Sequence, residues 1–441
     1  MKIITTNVNK DQYWEERTAA PQELSCMQAV NIYPEIKLHK IRGFGGAFTE
    51  SAAYCYSKLP EDEKKAFIKA YFSKAGLGYT LGRTHINSCD FSLSNYAADT
   101  DPQDEALEKF SLEREEQYIL PLINAAREEC GGDLKFLLSP WSPPAFMKTN
   151  HEMNHGGALK EEYYERWAKY MVRFVKEYED RGIRVNWITV QNEPDAVQTW
   201  DSCKYTAAQE GIFAGKYLGP ALKAAGLSHV KIFVWDHNKE CAYERACGSM
   251  AQEGAKDYIA GIGVHWYTGD HFENIDMIRR AFPDLEVFFT EGCVEYSRFD
   301  RSNETYKGEM YAHDMIGNFK NGVSAFFDWN LLLDSQGGPN HVGNFCDAPM
   351  MCTEDFSKVE KHLSYYYIGH FSRYVQPGAF AVPVSSWCSE AECAGFVNPD
   401  GEKVLILLNR QDKVVHVSAG AKGQGASVDL EPHSIVTLCW E

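Results

Sequence analysis

Short apolar runs alternate with amphipathic helical segments along most of the chain. The apolar runs are rich in β-branched and aromatic residues and stop at polar or strand-breaking residues, as buried strands do. The predicted strands lie at 41–50, 80–86, 134–139, 187–193, 231–236, 262–267, 285–291 and 323–330. Helical spacing predicts helices at about 61–73, 111–129, 160–180, 204–225, 272–281, 305–320 and 360–374. About eight strand–helix units in succession predict an α/β fold, a (β/α)8 TIM barrel.

The last part of the chain has a different pattern. Short alternating runs at 395–397, 403–408, 414–417 and 435–438 are separated by turn signals, and 398–401 is a strong hairpin turn. We therefore expect a β-sandwich side domain over residues 378–441 and a catalytic barrel over 41–377. Residues 1–40 alternate like edge strands at 30–33 and 36–38, so we expect this segment to join the side domain.

Composition excludes some classes of binding partner. A formal net charge of -18 argues against nucleic acid or an anionic membrane as a partner. No run approaches the roughly 20 apolar residues of a membrane span, and the first residues lack the apolar core of a secretory signal. We therefore expect a cytoplasmic protein without integral membrane association. The oligomeric state stays open.

The cysteines indicate free thiols. There are 13 of them, an odd number, and they lack metal-binding spacing; Cys26 and Cys55, for example, belong to no CxxC pair. With no secretory signal, a reducing compartment is expected. We predict no metal site and no cofactor.

Two apolar runs end in the same way, on a glutamate followed by a residue that breaks strands. Glu193 precedes Pro194, and Glu291 precedes Gly292. Active sites of (β/α)8 enzymes lie at the carboxyl ends of the strands. The two glutamates end the fourth and seventh predicted barrel strands, which face one another, so we expect a pair of carboxylates over one substrate.

The other predicted strand ends favour glycoside hydrolysis. They supply no lysine placed for a Schiff base and no compact metal cluster, which disfavours aldolase and metal-dependent chemistry. Two close carboxylates push their pKa values apart, which suits one proton donor and one anion. Arg83 and Tyr267 can hydrogen-bond Glu291 and keep it ionised, and Asn192 can hold the sugar 2-hydroxyl beside Glu193.

Several of these residues also have an ordinary structural interpretation. Arg83 can be an ion-pair partner under the barrel rim, and His265 can be a satisfied core histidine. Trp141 and Trp329 can be core residues, although Trp329 at a strand end suits stacking on a sugar. Glu50 can simply cap the helix that follows the first barrel strand.

The motifs together resemble glycoside hydrolase family 30, in its glucosylceramidase-like branch. The resemblance runs in order from about residue 40 to about 375, and the tail fits that family's β-sandwich domain. The motifs are Gly43-Phe44-Gly45-Gly46-Ala47-Phe48-Thr49-Glu50, Ser139-Pro140-Trp141-Ser142-Pro143-Pro144, Lys148-Thr149-Asn150, Asn192-Glu193-Pro194, Val264-His265-Trp266-Tyr267, Thr290-Glu291-Gly292-Cys293, Asp328-Trp329-Asn330, Gly337-Gly338-Pro339-Asn340 and Gly369-His370-Phe371-Ser372.

The resemblance implies a retaining β-glycosidase with Glu193 as acid/base and Glu291 as nucleophile, and Arg83 and His265 as supporting residues. It implies a sugar subsite lined by Glu50, Trp141, Asn192, Tyr267, Trp329 and Asn344. We expect a small carbohydrate or glycoside as substrate, most readily a β-glucoside. A β-xylosidase, a β-fucosidase, a β-1,6-glucanase, a transglycosylase and a non-catalytic carbohydrate-binding barrel remain alternatives.

Overall fold

The N-terminal segment forms strands that lie outside the barrel, in a separate domain of two sheets. The computed structural model describes residues 1–24 and 29–441, so Cys26 lies outside the described residues. Four strands precede the barrel: β1 (Lys2–Asn7), β2 (Gln12–Thr18), β3 (Gln22–Glu23) and β4 (Ala29–Ile32). The alternation at 36–38 predicted a strand, but these residues follow a turn and form none.

Eight parallel strands close into a barrel, which confirms the predicted (β/α)8 fold. They run around the barrel in chain order, and β12 pairs with β5 to complete it. The strands are β5 (Gly43–Ala47), β6 (Leu81–Ile86), β7 (Lys135–Pro140), β8 (Arg184–Thr189), β9 (Lys231–Asn238), β10 (Ile259–His265), β11 (Glu286–Glu291) and β12 (Val323–Asp328). Most of their residues are buried on both faces, which explains why the runs read as continuously apolar.

The glycines of β5 are required by close packing against the neighbouring strand. A Cβ at Gly45 would lie 2.1 Å from the carbonyl oxygen of Leu81 on β6, so only glycine fits there. The glycine-rich stretch is therefore a strand that allows close backbone approach, as predicted.

The helices surround the barrel and differ from the prediction mainly at their breaks. The predicted helix 111–129 is divided at Tyr118, which has φ −134°. A π-helical turn, Phe213–Leu218, interrupts the predicted helix 204–225. The helices are α1 (Glu50–Lys58), α2 (Glu61–Phe72), α3 (Glu113–Gln117), α4 (Ile119–Glu129), α5 (Tyr164–Asp180), α6 (Ala207–Ile212), α7 (Gly219–Ala224), α8 (Ala242–Met250), α9 (Ala255–Tyr258), α10 (Phe272–Ala281), α11 (Glu304–Asn321) and α12 (Leu363–Ser372), with 3-10 turns at Val8–Lys10, Ala145–Met147, Glu161–Tyr163 and Lys239–Cys241.

The chain after the barrel forms a β-sandwich with the N-terminal strands. The remaining strands are β13 (Met350–Cys352), β14 (Val359–Lys361), β15 (Phe380–Val382), β16 (Val384–Ser386), β17 (Ala391–Val397), β18 (Lys403–Asn409), β19 (Val415–Ala421), β20 (Gln424–Leu430) and β21 (Ser434–Trp440). One sheet has the order β15-β17-β18-β21-β1-β2, and the other has the order β16-β4-β19-β20-β3. The turn at 398–401 joins β17 to β18 as predicted.

Each unit has its own apolar centre. Side chains such as Leu137, Phe233 and Phe288 fill the inside of the barrel, and Leu405 and Val417 belong to the core between the two sheets. Within the described ranges, no helix combines the length and the apolar character needed to cross a membrane. The cytoplasmic location stays a prediction, as do the exact domain boundaries.

Candidate active site

The carboxyl ends of the barrel strands bring the two predicted glutamates to one place. Glu291 is the last residue of β11, whereas Glu193 lies four positions beyond the end of β8, in a loop that the sequence predicted as strand. The backbone of Glu193 has φ 47°, a left-handed conformation that turns the chain sharply after the strand. Both side chains are largely buried, with 13% of Glu193 and 8% of Glu291 exposed.

Arg83, on β6, is the hub of the polar network under the site. Its guanidinium is wholly buried and donates to Glu291 Oε2 at 2.6 Å, Asn192 Oδ1 at 2.8 Å and Asp236 Oδ2 at 3.0 Å. The ionised partners hold the pKa of Arg83 above its usual value despite burial. Because a buried cation needs this compensation, Arg83 fixes the positions of three other side chains.

Glu291 and His265 are held by further hydrogen bonds. Tyr267 donates its hydroxyl to Glu291 Oε1 at 2.9 Å. His265 Nε2 lies 3.1 Å from Asp236 Oδ1, and Thr290 Oγ1 donates to the same oxygen at 2.6 Å. His265 is thus a bridge between the buried Asp236 and the site.

The contacts of His265 place a proton next to Glu193. Asp236 is ionised, since burial raises its pKa but Arg83, His265 and the hydroxyl of Thr290 together outweigh burial and leave that pKa strongly lowered. It therefore accepts the proton on His265 Nε2. His265 Nδ1 lies 3.2 Å from Glu193 Oε1, and these two atoms form a hydrogen bond only if one of them carries a proton. The site therefore holds one proton shared by His265 and Glu193.

The pKa shifts follow from these contacts. Burial lowers the pKa of His265, but the charges of Glu291, Asp236 and Glu193 outweigh it and raise the value to about 9. Burial also raises the pKa of Glu193, but His237 and His265 outweigh it and leave that pKa lowered. The charges of His265 and Arg83 lower the pKa of Glu291, but burial outweighs them and leaves that pKa raised. The two pKa values are pushed apart, but in the sense opposite to the prediction, since that of Glu193 is lowered and that of Glu291 is raised. The shared proton lies towards His265.

A cavity of about 260 Å³ opens above the two glutamates. Trp141 and Trp329 form part of its wall and stack on each other, with ring centroids 5.1 Å apart and an interplanar angle of 20°. The guanidinium carbon Cζ of Arg83 lies 4.8 Å from the centroid of the Trp141 ring. Flat indole faces beside buried carboxylates suit the apolar face and the hydroxyl groups of a sugar ring.

The structure places most of the predicted site residues in or directly under this cavity. Arg83 and His265 are completely buried and support the lining from below. The predicted residues that line the cavity are Trp141, Asn192, Glu193, Tyr267, Glu291, Trp329 and Asn344.

Glu50 does not belong to the lining, contrary to the prediction. It is the first residue of α1 and fully buried, its side chain pairs with Arg114 at 2.8 Å, and Oε2 accepts from the backbone amide of Leu93 at 2.8 Å. The strand β5 ends three residues before Glu50, so the chain has already turned into the helix there. Glu50 therefore holds the neighbouring loop and does not line the cavity.

The lining also contains polar residues outside the predicted subsite, among them Asp90 and His237. Asp90 lies in the loop after β6, where Asn340 and Asn344 donate to its Oδ2 at 3.2 and 3.3 Å, and burial raises its pKa to about 8. His237 lies on β9, beyond the predicted strand end at residue 236, and its Nδ1 is 3.5 Å from Glu193 Oε1. The only signal for Asp90 is its place shortly after a barrel strand.

Comparison with known proteins identifies the family. Residues 41–375 match the glycosyl hydrolase family 30 TIM-barrel domain, and residues 378–438 match the glycosyl hydrolase family 30 beta sandwich domain. The chain belongs to glycosyl hydrolase family 30. As a family 30 member it is a glycoside hydrolase, and its substrates are carbohydrates.

Relatives within family 30 differ in what they are named for. The chain is 32% identical to the lysosomal acid glucosylceramidase of Mus musculus over 93% of this chain and 83% of that protein. It is 27% identical to an endo-1,6-beta-D-glucanase of Neurospora crassa over 92% of this chain and 86% of the relative. The crystal structure of SrfJ from Salmonella typhimurium has a TM-score of 0.97 at 41% identity, covering 100% of this chain and 99% of that one.

Proposed function

We propose that this family 30 enzyme is a retaining β-glycosidase that hydrolyses β-glucosides by double displacement. The observation that carries the proposal is the convergence of two carboxylates on one imidazole nitrogen. His265 Nδ1 lies 3.2 Å from Glu193 Oε1 and 3.9 Å from Glu291 Oε1, so the two oxygens are at most about 7 Å apart. This limit includes the roughly 5 Å spacing of retaining enzymes and leaves out most of the about 6.5–9.5 Å range of inverting ones.

Glu291 is the proposed nucleophile. Arg83 and Tyr267 each donate a hydrogen bond to its carboxylate, so both oxygens are fixed and the anion is stabilised. In the first step this carboxylate attacks the anomeric carbon, and a glycosyl ester forms as the bond to the leaving oxygen breaks. The same two donors stabilise Glu291 when it leaves again in the second step.

Glu193 is the proposed acid/base. It has no cationic arginine or lysine partner among its described contacts, but it shares a proton with His265. When a sugar fills the cavity and excludes water, the charged form of Glu193 is destabilised, so the shared proton moves towards it and can pass to the leaving oxygen. In the second step the ionised Glu193 takes a proton from the attacking water.

The sugar subsite is proposed to lie between the tryptophans and the amide side chains. Asn192, held by Arg83 next to Glu193, is placed to bind the 2-hydroxyl. Asp90 and Asn344 face the same cavity and offer both a donor and an acceptor to hydroxyl groups. A glucoside would use this polar wall more fully than a xyloside, which lacks the hydroxymethyl group.

One relative is named a glucosylceramidase and another an endo-1,6-beta-D-glucanase, and these two activities differ in the leaving group. We favour hydrolysis of short β-glucosides, and a β-1,6-glucan is the second candidate because of the named glucanase relative. A β-xylosidase, a β-fucosidase or a transglycosylase would use the same pair of glutamates.

Aryl β-glycosides with different sugars test the proposal. We expect cleavage of the β-glucoside at a higher kcat/KM than of the xyloside or fucoside, and proton NMR of the early product should show the β-anomer. An α-anomer formed first would refute double displacement. Sugar binding without cleavage of any substrate would instead indicate a carbohydrate-binding barrel.

Natural glycosides distinguish the remaining candidates. Incubation with a β-1,6-glucan should release glucose if the enzyme acts at chain ends and a series of oligosaccharides if it acts internally. Added acceptor alcohols should give only minor amounts of alkyl glycosides. A dominant alkyl glycoside product would identify a transglycosylase.

A further inference from the structure

Two clusters in the described part of the chain combine histidine and carboxylate side chains at metal-binding distances. In each, the ligand atoms of three residues lie within 4.8 Å of one another. One cluster consists of Glu193, His237 and His265, and the other of Glu304, Asp347 and His362. The contacts around them show that only the first can accept a cation.

The first cluster has the spacing of a tetrahedral metal site. Glu193 Oε1 lies 3.2 Å from His265 Nδ1 and 3.5 Å from His237 Nδ1. A zinc ion about 2.0–2.1 Å from each ligand sets neighbouring tetrahedral ligand atoms about 3.3 Å apart. The two distances to Glu193 lie on either side of that value, and all three ligand atoms lie within 4.8 Å of one another, so small side-chain movements bring them around an ion.

The histidines are oriented for coordination. His265 Nε2 is hydrogen-bonded to Asp236 Oδ1, which directs Nδ1 towards Glu193, as second-shell carboxylates direct metal-binding histidines. Among the described residues, His237 Nδ1 is a buried nitrogen without a hydrogen-bond partner. A buried unpaired nitrogen is costly, and a cation would satisfy it.

The charges at this place also favour a divalent cation. Glu193, Asp236 and Glu291 are three carboxylates in one buried network, and they face two positive charges, the guanidinium of Arg83 and the protonated His265. The network therefore has an excess of negative charge. The cavity on the open side of Glu193 leaves a fourth position for water, so the arrangement is that of three protein ligands and one exchangeable ligand.

The second cluster already contains a cation of its own. The buried ammonium group of Lys307 lies 2.6 Å from Glu304 Oε1 and 2.9 Å from Asp347 Oδ1. His362 Nδ1 is 2.9 Å from the same oxygen of Asp347. A metal ion would have to displace Lys307 and leave it buried without its partners, so this cluster serves as a natural negative control.

We propose that Glu193, His237 and His265 form a binding site for a borderline divalent cation such as Zn²⁺. Two imidazoles and one carboxylate are the ligand set of known zinc sites with an open position. The ion takes the place of the proton between His265 and Glu193, which is released on binding. It is an inhibitory ligand and takes no part in the reaction.

Inhibition follows only if Glu193 is the acid/base, so this part of the inference rests on the proposed function. A Glu193 oxygen bound to the metal cannot carry the proton for the leaving oxygen. The metal site itself does not depend on that role, because it is defined by the positions of the three ligand atoms. Binding and inhibition are therefore measured separately.

Cobalt(II) titration of the full-length chain tests the site. Tetrahedral Co²⁺ has strong visible d–d absorption, and we expect one equivalent to produce it and Zn²⁺ to remove it. His237→Gln removes a direct ligand and should lower the affinity at least about tenfold, since loss of an outer-shell partner alone typically costs about that much. His362→Gln, the matched change in the second cluster, should bind Co²⁺ like the unchanged protein, and circular dichroism should show that both variants are folded.

The cysteines near the site require a separate readout. Cys293 and Cys346 line the same cavity, and a thiolate ligand would add a sulfur-to-cobalt charge-transfer band in the near ultraviolet. We expect no such band. Absence of the tetrahedral spectrum, a strong charge-transfer band, or unchanged binding in His237→Gln would each overturn the proposed ligands.

Activity in the presence of Zn²⁺ completes the test. We expect Zn²⁺ to lower kcat/KM on an aryl β-glucoside over the concentration range in which it displaces Co²⁺. A normal Co²⁺ spectrum with full activity of the zinc-loaded protein would refute inhibition through Glu193 and would count against its acid/base role. In that case the metal site would be supported, and the proposed role of Glu193 would be contradicted.

Discussion

The mouth of the barrel and the core of the β-sandwich are both buried, but they are built from opposite kinds of side chain. At the barrel mouth, Arg83, Asp236 and His265 have no exposed surface, and each is satisfied by charged or polar partners. Between the two sheets, Leu407 and Val417 pack among other aliphatic side chains. Charged contacts between the barrel and the sandwich lie at the edge of the sandwich, as in the pairs His313–Glu392 and His433–Glu309.

The difference shows where each region gains its order. Buried charges are stable only when every partner is in place, so the barrel mouth has one permitted arrangement. That arrangement holds the two glutamates ready for the reaction before a substrate binds. The sandwich gains stability from apolar area and tolerates small adjustments. Changes at the mouth should therefore alter activity first, and changes in the sandwich should alter stability first.

The largest expected effect is on turnover after Glu291→Gln. The amide keeps the shape of the side chain but cannot attack the anomeric carbon, so kcat should fall about 10⁴-fold or more. The matched change in the sandwich is Glu392→Gln, which removes an ion pair with His313 and should leave kcat within about twofold. Initial rates on an aryl β-glucoside measure kcat for both variants. Comparable losses of kcat would contradict the distinction between the barrel mouth and the sandwich.

Glu193→Gln should have a smaller effect that depends on the leaving group. A poor leaving group needs protonation, so cleavage of an alkyl glucoside should slow by about 10²–10⁴-fold. An activated aryl glucoside needs little acid assistance and should lose much less in the step that forms the glycosyl enzyme. Pre-steady-state rates on the two substrates provide the measurement. Equal losses would contradict the acid role of Glu193.

Leu407→Ala tests the other side of the comparison. The side chain is fully buried between the sheets, and its loss should lower the free energy of unfolding by about 2–5 kcal/mol. The kcat at 25 °C should stay close to that of the unchanged enzyme, because the cavity is not touched. Urea denaturation and initial rates are the two measurements. Intact stability with reduced activity would show that the sandwich serves the site directly.

The smallest expected effect is a pH dependence of stability at the edge between barrel and sandwich. Hydrogen bonding to Glu392, supported by Asp270 and opposed by burial and Arg410, raises the pKa of His313. A raised folded-state pKa stabilises the fold below the unfolded value of about 6.5, and this contribution is lost as pH rises through the folded value.

Exposure to solvent limits the size of that contribution, since 23% of the His313 side chain is exposed. The melting temperature should therefore fall by only about 2 °C more in the unchanged protein than in His313→Gln as pH rises from about 6 to 8.5. Differential scanning calorimetry at several pH values measures this difference. Parallel curves for the two proteins would show that His313 contributes nothing.

The barrel could be predicted because its strands are buried on both faces and so give continuous apolar runs. Glu291 followed directly from this pattern, because it is the last residue of β11. Glu193 was found through its neighbours although its strand ends at Thr189. The positions of strands are thus readable from apolar periodicity, and the few residues after them only approximately.

The errors arose where loops decide the direction of a side chain. Glu50 and Asp90 are both acidic and both follow barrel strands, yet one points to Arg114 and the other into the cavity. Periodicity carries no information on this choice, since it depends on the path of the loop after each strand. That residues 1–40 join the C-terminal strands was predicted correctly from their alternation, but the individual partners of β1 and β4 were not, because sheet partners are set by tertiary packing.

The pairing of β1 with β21 has a consequence for biosynthesis. Lys2 lies opposite Cys439, so the sheet that contains β1 is completed only by residues made after the whole barrel. The final barrel strand ends at Asp328, so all eight barrel strands can leave the ribosome while β1 has only β2 as a neighbour. The order of translation therefore favours assembly of the catalytic unit before its companion sheets are sealed.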